Sequence, residues 1–478
     1  MTSKRDQSLC QLLIVLPVML VPATTGAGFD DDFTGATLRV DYRHTGTAAE
    51  EHFALDRLLV EGPWPGSRTQ LVDTSNLGKY MVEVVDLASN RPLYTRGFAS
   101  IYGEWETTGE ARAGTWRAIA EAVRLPEPRR PFQLRIRKRE ADQSFREVWT
   151  LTVDPASRFV DRAPVPRRKV WPLVENGDPA HKVDLLILGD GYTAEQMDKY
   201  RADAKRAAGA LFAVEPFASR RGDFNVWAVE ASAERSGISR PRAGIFRHSP
   251  LGARYNSFDS ERYVLTLEDR NWRDVASAAP YDFVLILVNE RKYGGGGIYN
   301  LYSTAAVDSS YAASLVVHEF GHHFAGLGDE YYTSPVAYEE FGGGNIDPWE
   351  PNVTALGDPD KLKWRDLVLD DTPLPTPWNK QQFEESSRAF QARRRELRSQ
   401  GAAEESLEAL FDEEREWFTA KLGEEQHAGK IGAFEGAMYE AQGLYRPSAD
   451  CRMFTRDDVG FCAVCRRAIE RVIDLYSD

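Results

Sequence analysis

The sequence predicts a multidomain protein of mixed α+β and α/β class. We expect a β-sandwich-like N-terminal domain, then an α/β domain that carries a charged helical insertion. Segments of alternating apolar and polar residues follow one another up to about residue 155, as half-buried strands do. From Lys182 onward, apolar strand-like runs alternate with helix-like segments, which is typical of an α/β domain. A chain of 478 residues also exceeds what one hydrophobic core usually organises.

Residues 1–27 are predicted to be a signal peptide. Lys4 and Arg5 supply a positive start, residues 12–22 form a short apolar run, and small residues follow up to Ala27. The apolar run is shorter than the roughly 20 residues of a membrane-spanning helix, and no later segment resembles one. We therefore expect a mature chain without a transmembrane segment, secreted or held in the periplasm or at the cell surface. The alternative is a retained anchor or a buried N-terminal helix.

The segment 28–155 is predicted to be the β-rich N-terminal domain, and 156–181 a linker. The linker is rich in proline and arginine, which opposes regular structure. His44 and His52 lie in the β-rich segment without a cluster of other ligand-type residues, so we interpret both as structural or surface residues. The clearest predicted strands are 38–42, 80–86, 132–139 and 147–153.

The segment 182–478 is predicted to be the second domain. Its buried-type strands are expected at 183–189, 224–229 and 281–288, with a helix from Thr193 to Ala213. Within it, 378–428 is dense in Glu and Arg and predicts a helical hairpin broken near Gly401. We interpret that hairpin as a surface insertion whose charges face solvent.

A run of glycines lies at the end of one predicted strand. Gly294, Gly295 and Gly296 leave the backbone exposed, so an extended polypeptide substrate could add there as an extra strand. The alternative is a flexible loop. A phosphate loop is excluded because no Gly-Lys-Ser/Thr follows.

The most informative pattern is His-Glu-x-x-His, formed by His318, Glu319 and His322. On a helix, positions i and i+4 share a face, so both imidazoles can bind one catalytic zinc ion while Glu319 acts as general base. A turn at Gly326 would return the chain towards the metal and supply a third ligand. Asp329 is the predicted third ligand and Glu330 its rival. His323 points about 100° away from His322 and is expected to pack.

Hydrolysis at such a site also needs a donor that stabilises the oxyanion. Tyr331, Tyr332 and Tyr439 are the candidates, and of these we predict Tyr439 as the donor.

Three cysteines, Cys451, Cys462 and Cys465, lie near the C-terminus. In an oxidising compartment we expect Cys451 to pair with Cys462 or Cys465 and one thiol to remain. The rival interpretation is a second, structural zinc site, for which three cysteines with no nearby histidine are an incomplete set.

The net charge of −14 opposes non-specific binding to nucleic acid, because phosphates repel an acidic surface. It is compatible with a polypeptide substrate, and nothing in the composition indicates the oligomeric state.

The chain resembles the IgA-peptidase family of bacterial zinc metallopeptidases, a metzincin-like group. The resemblance rests on His-Glu-Phe-Gly-His-x-Phe-Ala-Gly-Leu-x-Asp-Glu-Tyr-Tyr, matched from His318 to Tyr332. It implies a metzincin-like peptidase domain with the family's N-terminal β-domain, and a methionine turn under the zinc at Met438 or Met453. Gly326 lies one residue later than the metzincin consensus places its glycine. Further matching segments are 97–100, 104–108, 188–193, 350–354, 443–447, 450–453 and 461–465.

The predicted function is therefore that of a secreted, zinc-dependent peptidase. The family name does not imply an immunoglobulin substrate, because specificity lies in details of the cleft. Two alternatives share the same residues: a non-catalytic, zinc-stabilised surface-binding protein, and a zinc amidase acting on cell-wall peptides.

Overall fold

The computed structural model describes residues 28–334 and 346–477, so the predicted signal peptide lies outside the described residues. It shows a mixed α/β protein with a β-rich N-terminal part. There, two four-stranded sheets with the orders β5-β1-β2-β8 and β4-β3-β6-β7 share one hydrophobic core, which includes Val40, Tyr42, Val84 and Leu134. The strands are β1 (Phe33–Gly46), β2 (Glu51–Pro63), β3 (Tyr80–Asp86), β4 (Pro92–Phe98), β5 (Arg117–Pro128), β6 (Phe132–Arg139), β7 (Phe145–Val153) and β8 (Val160–Asp161).

Three short helices accompany these strands, and two of them, α2 (Ile101–Trp105) and α3 (Gly109–Arg112), contribute to the core of the second part of the protein. Ile101, Tyr102 and Trp105 belong to the core that covers one face of the second part's main sheet. The short helices are α1 (Phe29–Asp32), α2 (Ile101–Trp105) and α3 (Gly109–Arg112).

The second part is built on a six-stranded sheet of order β15-β16-β14-β10-β11-β9. Its four central strands are parallel, whereas the edge strands β9 and β15 are antiparallel to their neighbours. The strands of this part are β9 (Val170–Val174), β10 (Val183–Asp190), β11 (Phe224–Val229), β12 (Ala253–Arg254), β13 (Leu265–Thr266), β14 (Phe283–Val288), β15 (Gly295–Ile298), β16 (Tyr302–Ala306), β17 (Phe434–Ala437) and β18 (Glu440–Arg446).

Both faces of this sheet are buried, which explains the continuous apolar runs of β10 and β14. Leu185 and Ile187 face one core, and Leu186 and Leu188 face the other. Among the described residues, no helix is both long and apolar enough to span a membrane. The helices of this part are α4 (Met197–Leu211), α5 (Asp269–Ala276), α6 (Ala312–Ala325), α7 (Lys380–Ser399), α8 (Glu404–Gly423) and α9 (Ala463–Tyr476).

The segment 156–181, predicted to lack regular structure, contains strands β8 and β9. Pro172 is accommodated because β9 is an edge strand paired only with β11. The proline content of this segment therefore does not reveal the edge strand, which forms because it pairs with β11 of the main sheet.

Helices α7 and α8 occupy the charged segment, and Gly401 lies between them at φ +65°. The hairpin presents charges to solvent and also packs against the core. Phe383, Phe390, Leu410 and Phe418 belong to the core shared with α6, because each helix presents a narrow apolar stripe towards it.

Helix α6 begins after Tyr311, without a side-chain cap from the serines that precede it, and ends at Gly326 at φ +61°. The predicted end of this helix at Gly326 is confirmed. Glycine suits the position because the left-handed conformation strains residues that carry a Cβ.

We predict that Gly297→Ala will lower the free energy of unfolding by roughly 1–3 kcal/mol. A Cβ at Gly297 would lie 2.2 Å from the carbonyl oxygen of Glu319, so β15 would have to move away from α6. Gly209→Ala is the matched control: it lies inside α4, no heavy atom lies within 4 Å of the added Cβ, and the helix should gain about 1 kcal/mol. Urea denaturation measures both, and equal stability of the two variants would contradict the close packing of β15.

Candidate metal centre

Three side chains of metal-ligand type converge at the C-terminal end of α6. His318 Nε2 lies 3.1 Å from His322 Nε2, and Asp329 Oδ1 lies 3.1 Å from each of them. Ligand atoms about 2.0–2.1 Å from one zinc ion would be separated by a little more than 3 Å. The three atoms therefore match one face of a tetrahedral site.

The backbone selects the ring tautomer that a metal requires. His318 Nδ1 donates to the carbonyl of Arg452 at 3.0 Å, and His322 Nδ1 donates to the carbonyl of Leu327 at 2.5 Å. Each Nε2 is then left with its lone pair directed at the common point. The donor set of two imidazoles and one carboxylate suits a catalytic metal with an open fourth position.

Without a metal, the same groups interact strongly with each other. Burial alone would lower the pKa of His322, but the Asp329 carboxylate reverses the effect and raises it to about 9. Burial would likewise raise the pKa of Asp329, yet His322 and His318 hold it well below its usual value. The Asp329 carboxylate thus compensates a positive charge at the point where the three side chains meet.

Asp329 is placed by the segment that follows the Gly326 turn. Asn352 holds this segment through two hydrogen bonds, accepting from the Gly328 amide at 2.7 Å and donating to the Gly328 carbonyl at 2.9 Å. The Asp329 carbonyl accepts from the amide of Met438 at 2.9 Å. Its rival Glu330 turns to the opposite side, where its carboxylate lies among the cysteines.

Glu319 lies beside the histidines in a cavity of about 250 Å³. Burial raises the pKa of its carboxyl, because the charged form loses its hydration. A carboxylate with a raised pKa accepts a proton more readily, so Glu319 can act as a base on a water molecule in this cavity.

Two of the three candidate tyrosines face the cavity. The Tyr439 hydroxyl donates to Asp329 Oδ2 and lies 3.3 Å from the hydroxyl of Tyr331, which also accepts from Arg262 at 3.0 Å. Tyr332 is not part of the cavity wall and packs instead on Phe383, with the ring centroids 6.0 Å apart. Tyr331 and Tyr439 therefore lie in the cavity wall, whereas Tyr332 does not.

The predicted substrate edge at Gly294, Gly295 and Gly296 does lie at an edge of the main sheet. However, the amide of Gly295 donates to the carbonyl of Arg262, and its carbonyl accepts from Val264, both at 3.1 Å. At Gly295 the outer edge is therefore already paired. The glycines instead let β15 approach α6 and its neighbours, and substrate binding there stays a prediction.

The charged hairpin contributes one wall of the cavity, through Gln391 and Arg394 of α7 and Glu414 and Phe418 of α8. Burial and the nearby Arg456 lower the pKa of Arg394 to about 10. Sequence patterning could not identify these residues, because a cavity-lining arginine and a solvent-exposed one look alike in a charged helix.

The three cysteines are free and buried, so the predicted disulfide is not formed. Cys451 Sγ lies 3.8 Å from Cys465 Sγ, which is too far for a bond of about 2.0 Å. Glu330 joins the three thiols, so its carboxylate and the cysteines form one cluster.

The two methionines predicted for a methionine turn lie in different segments and have different neighbours. Met438 precedes Tyr439 in the turn between β17 and β18 and lines the cavity. Met453 is fully buried against α6, where a Cβ at Gly321 would meet its Sδ at 3.0 Å. His323 is also fully buried, packing on Phe283 with the ring centroids 5.4 Å apart.

Comparison with known proteins identifies the family. The model described as IgA Peptidase M64 matches residues 171–473, and the one described as Peptidase M64 N-terminus matches residues 28–150. The chain belongs to the M64 peptidase family. A search of curated proteins finds no match. As an M64 peptidase, the protein acts on polypeptides.

Several residues that position the site of this M64 peptidase could not be identified from the sequence. Asn352 orders the ligand segment, Arg262 holds Tyr331, and the Arg452 carbonyl orients His318. These roles depend on backbone groups brought together from distant segments. The match of 350–354 to the family was the one signal that pointed to Asn352.

We predict that His322→Leu abolishes tight binding of one zinc ion, whereas His323→Leu retains it. His323 faces the apolar core, and burial lowers its pKa to about 3, so an apolar replacement suits its site. Zinc titration calorimetry on the two adjacent variants gives the comparison. If both variants bound zinc equally well, the assignment of His322 would be overturned.

Proposed function

We propose that this protein is a zinc-dependent endopeptidase in which His318, His322 and Asp329 hold one catalytic zinc ion and Glu319 is the general base. The observation that carries the proposal is the convergence of the three ligand atoms at 3.1 Å beside the half-buried, cavity-lining Glu319. A zinc ion bound there would activate a water molecule and polarise the scissile carbonyl.

The protein's own residues perform the proton transfers in this scheme. Glu319 takes a proton from the attacking water and passes it to the leaving amine. The raised pKa of Glu319 favours proton transfer from water. Glu319 lies on the side of α6 that packs against β15, and its side chain lines the cavity. The Tyr331 hydroxyl would supply a donor for the oxyanion, and the Tyr439 hydroxyl would do so only by releasing its hydrogen bond to Asp329.

A metzincin-like architecture is part of the proposal. The metal helix α6 ends at a left-handed glycine, and the third ligand follows within one short segment. Met438 and Met453 both lie near this centre, and either could form its floor.

The zinc-stabilised binding protein remains the alternative from another functional class, and it requires a closed four-ligand site. The described residues bring three ligands to this centre and leave a cavity beside them, which favours catalysis. A cell-wall amidase would use the same residues, so only a panel of substrates separates it from a peptidase.

Export of the protein is also a proposal. It rests on the signal-peptide pattern of residues 1–27, and secretion of the full chain with removal of about that length would support it.

We expect Glu319→Gln to keep its zinc and lose roughly 10²–10⁴-fold in kcat for casein hydrolysis, because the proton acceptor is removed. Glu416→Gln, an exposed glutamate of α8, is the control and should be unchanged. Zinc content and chelator sensitivity are measured alongside. Full turnover by Glu319→Gln would contradict the proposed mechanism. If the wild-type protein bound zinc but cleaved none of a panel of substrates, the alternative of a binding protein would be favoured.

A second comparison separates the two roles of Tyr439. If its hydroxyl stabilises the oxyanion, Tyr439→Phe should lower kcat by roughly 10–10³-fold at unchanged zinc affinity. If it only orients Asp329, zinc affinity should fall instead. Tyr332→Phe serves as control, since Tyr332 lies outside the cavity wall. Equal effects of the two substitutions would contradict a role for Tyr439.

A further inference from the structure

A second cluster of ligand-type side chains lies outside the cavity. Glu330, Cys451, Cys462 and Cys465 direct one ligand atom each to a common point, and these atoms all lie within 4.8 Å of one another. None of the four residues lines the cavity, and all are buried. The cluster is therefore separate from the proposed catalytic centre.

We infer that these four residues form a second metal site, a closed Cys₃Glu site that holds a structural zinc ion. The inference does not rest on the proposed function, because it involves none of the catalytic ligands.

The interatomic distances agree with tetrahedral coordination. Two sulfur atoms, each about 2.3 Å from a zinc ion at the centre of a tetrahedron, lie about 3.8 Å apart. Cys451 Sγ and Cys465 Sγ are 3.8 Å apart, and Cys465 Sγ lies 3.3 Å from Glu330 Oε1. Four protein ligands leave no position for water, which is the pattern of structural zinc sites.

A second observation points to a missing cation. The Glu330 side chain has no exposed surface, and its Oε2 has no hydrogen-bond partner among residues 28–334 and 346–477. Its other oxygen is used by Asn352 at 2.9 Å and by Cys465. Within the same described residues, no ion pair reaches this carboxylate. An unpaired buried carboxylate is costly, and a bound divalent cation would satisfy it.

The chemistry of the donors favours zinc among common metals. Thiolates select soft or borderline ions, and the single carboxylate excludes a pure cysteine cluster of the kind that holds iron–sulfur centres. Calcium and magnesium are excluded because they prefer oxygen ligands.

The site ties together the segments that position the catalytic ligands. Glu330 directly follows Asp329, and its amide donates to the carbonyl of Met453 at 2.9 Å. Cys451 directly precedes Arg452, whose carbonyl accepts from His318 Nδ1. Cys465 lies on α9, so one ion would join both segments to a helix that packs against α6.

The first experiment measures zinc by mass spectrometry in the full chain and in two double variants. We expect about two zinc ions per wild-type chain, and about one in His318→Ala/His322→Ala and in Cys451→Ser/Cys465→Ser. The remaining ion of the histidine variant should resist chelators longer than the ion of the cysteine variant. About one ion in the wild type and none in the histidine variant would overturn the inference.

The cysteine variant could fail to fold, so a second measurement avoids it. Cobalt replaces zinc in His318→Ala/His322→Ala, and we expect the near-ultraviolet charge-transfer absorption of thiolate-bound cobalt. Absence of this absorption would overturn the inference. An intact mass lower by two hydrogens, with one free thiol left among Cys451, Cys462 and Cys465, would show that a disulfide forms instead.

Discussion

The structure around the centre depends on one constraint, which is that two imidazoles and a carboxylate must be held at one point in the cavity wall. Each histidine is fixed by a carbonyl from another segment, Leu327 for His322 and Arg452 for His318. Those carbonyls are in place only if the chain turns at Gly326 and the segment near Met453 packs on α6. The outer hydrogen bonds are therefore as necessary as the ligands themselves.

The segment after α6 contributes one residue to each of two clusters. Asp329 belongs to the histidine cluster, and Glu330 belongs to the cysteine cluster. The Asp329 and Tyr331 carbonyls pair with the Met438–Tyr439 turn, and the Glu330 amide pairs with Met453 on the other side. Because successive side chains of an extended chain point in opposite directions, Asp329 faces the histidines while Glu330 faces the cysteines. The two polar clusters can thus lie back to back, the cysteine cluster buried and the histidine cluster at the cavity wall.

Close packing of α6 is the second requirement for this arrangement. The glycines of β15 bring that strand so near to α6 that a side chain at Gly297 would collide with the helix backbone. On its other flank, the charged hairpin packs an apolar stripe against the same core and closes the cavity. The cavity wall therefore combines residues that the sequence separates by more than a hundred positions, among them Glu319 and Tyr439.

The sequence by itself determined the β-rich and mixed α/β character, the helix that carries His-Glu-x-x-His with its glycine end, and the family. These features follow from local periodicity, from i and i+4 spacing on a helix and from a long motif. The tertiary structure alone decided that Asp329 rather than Glu330 joins the histidines, and that Glu330 joins the cysteines. It also decided that the charged hairpin lines the cavity and that segment 170–174 forms an edge strand. These outcomes depend on contacts between distant segments, which no local pattern in the sequence encodes.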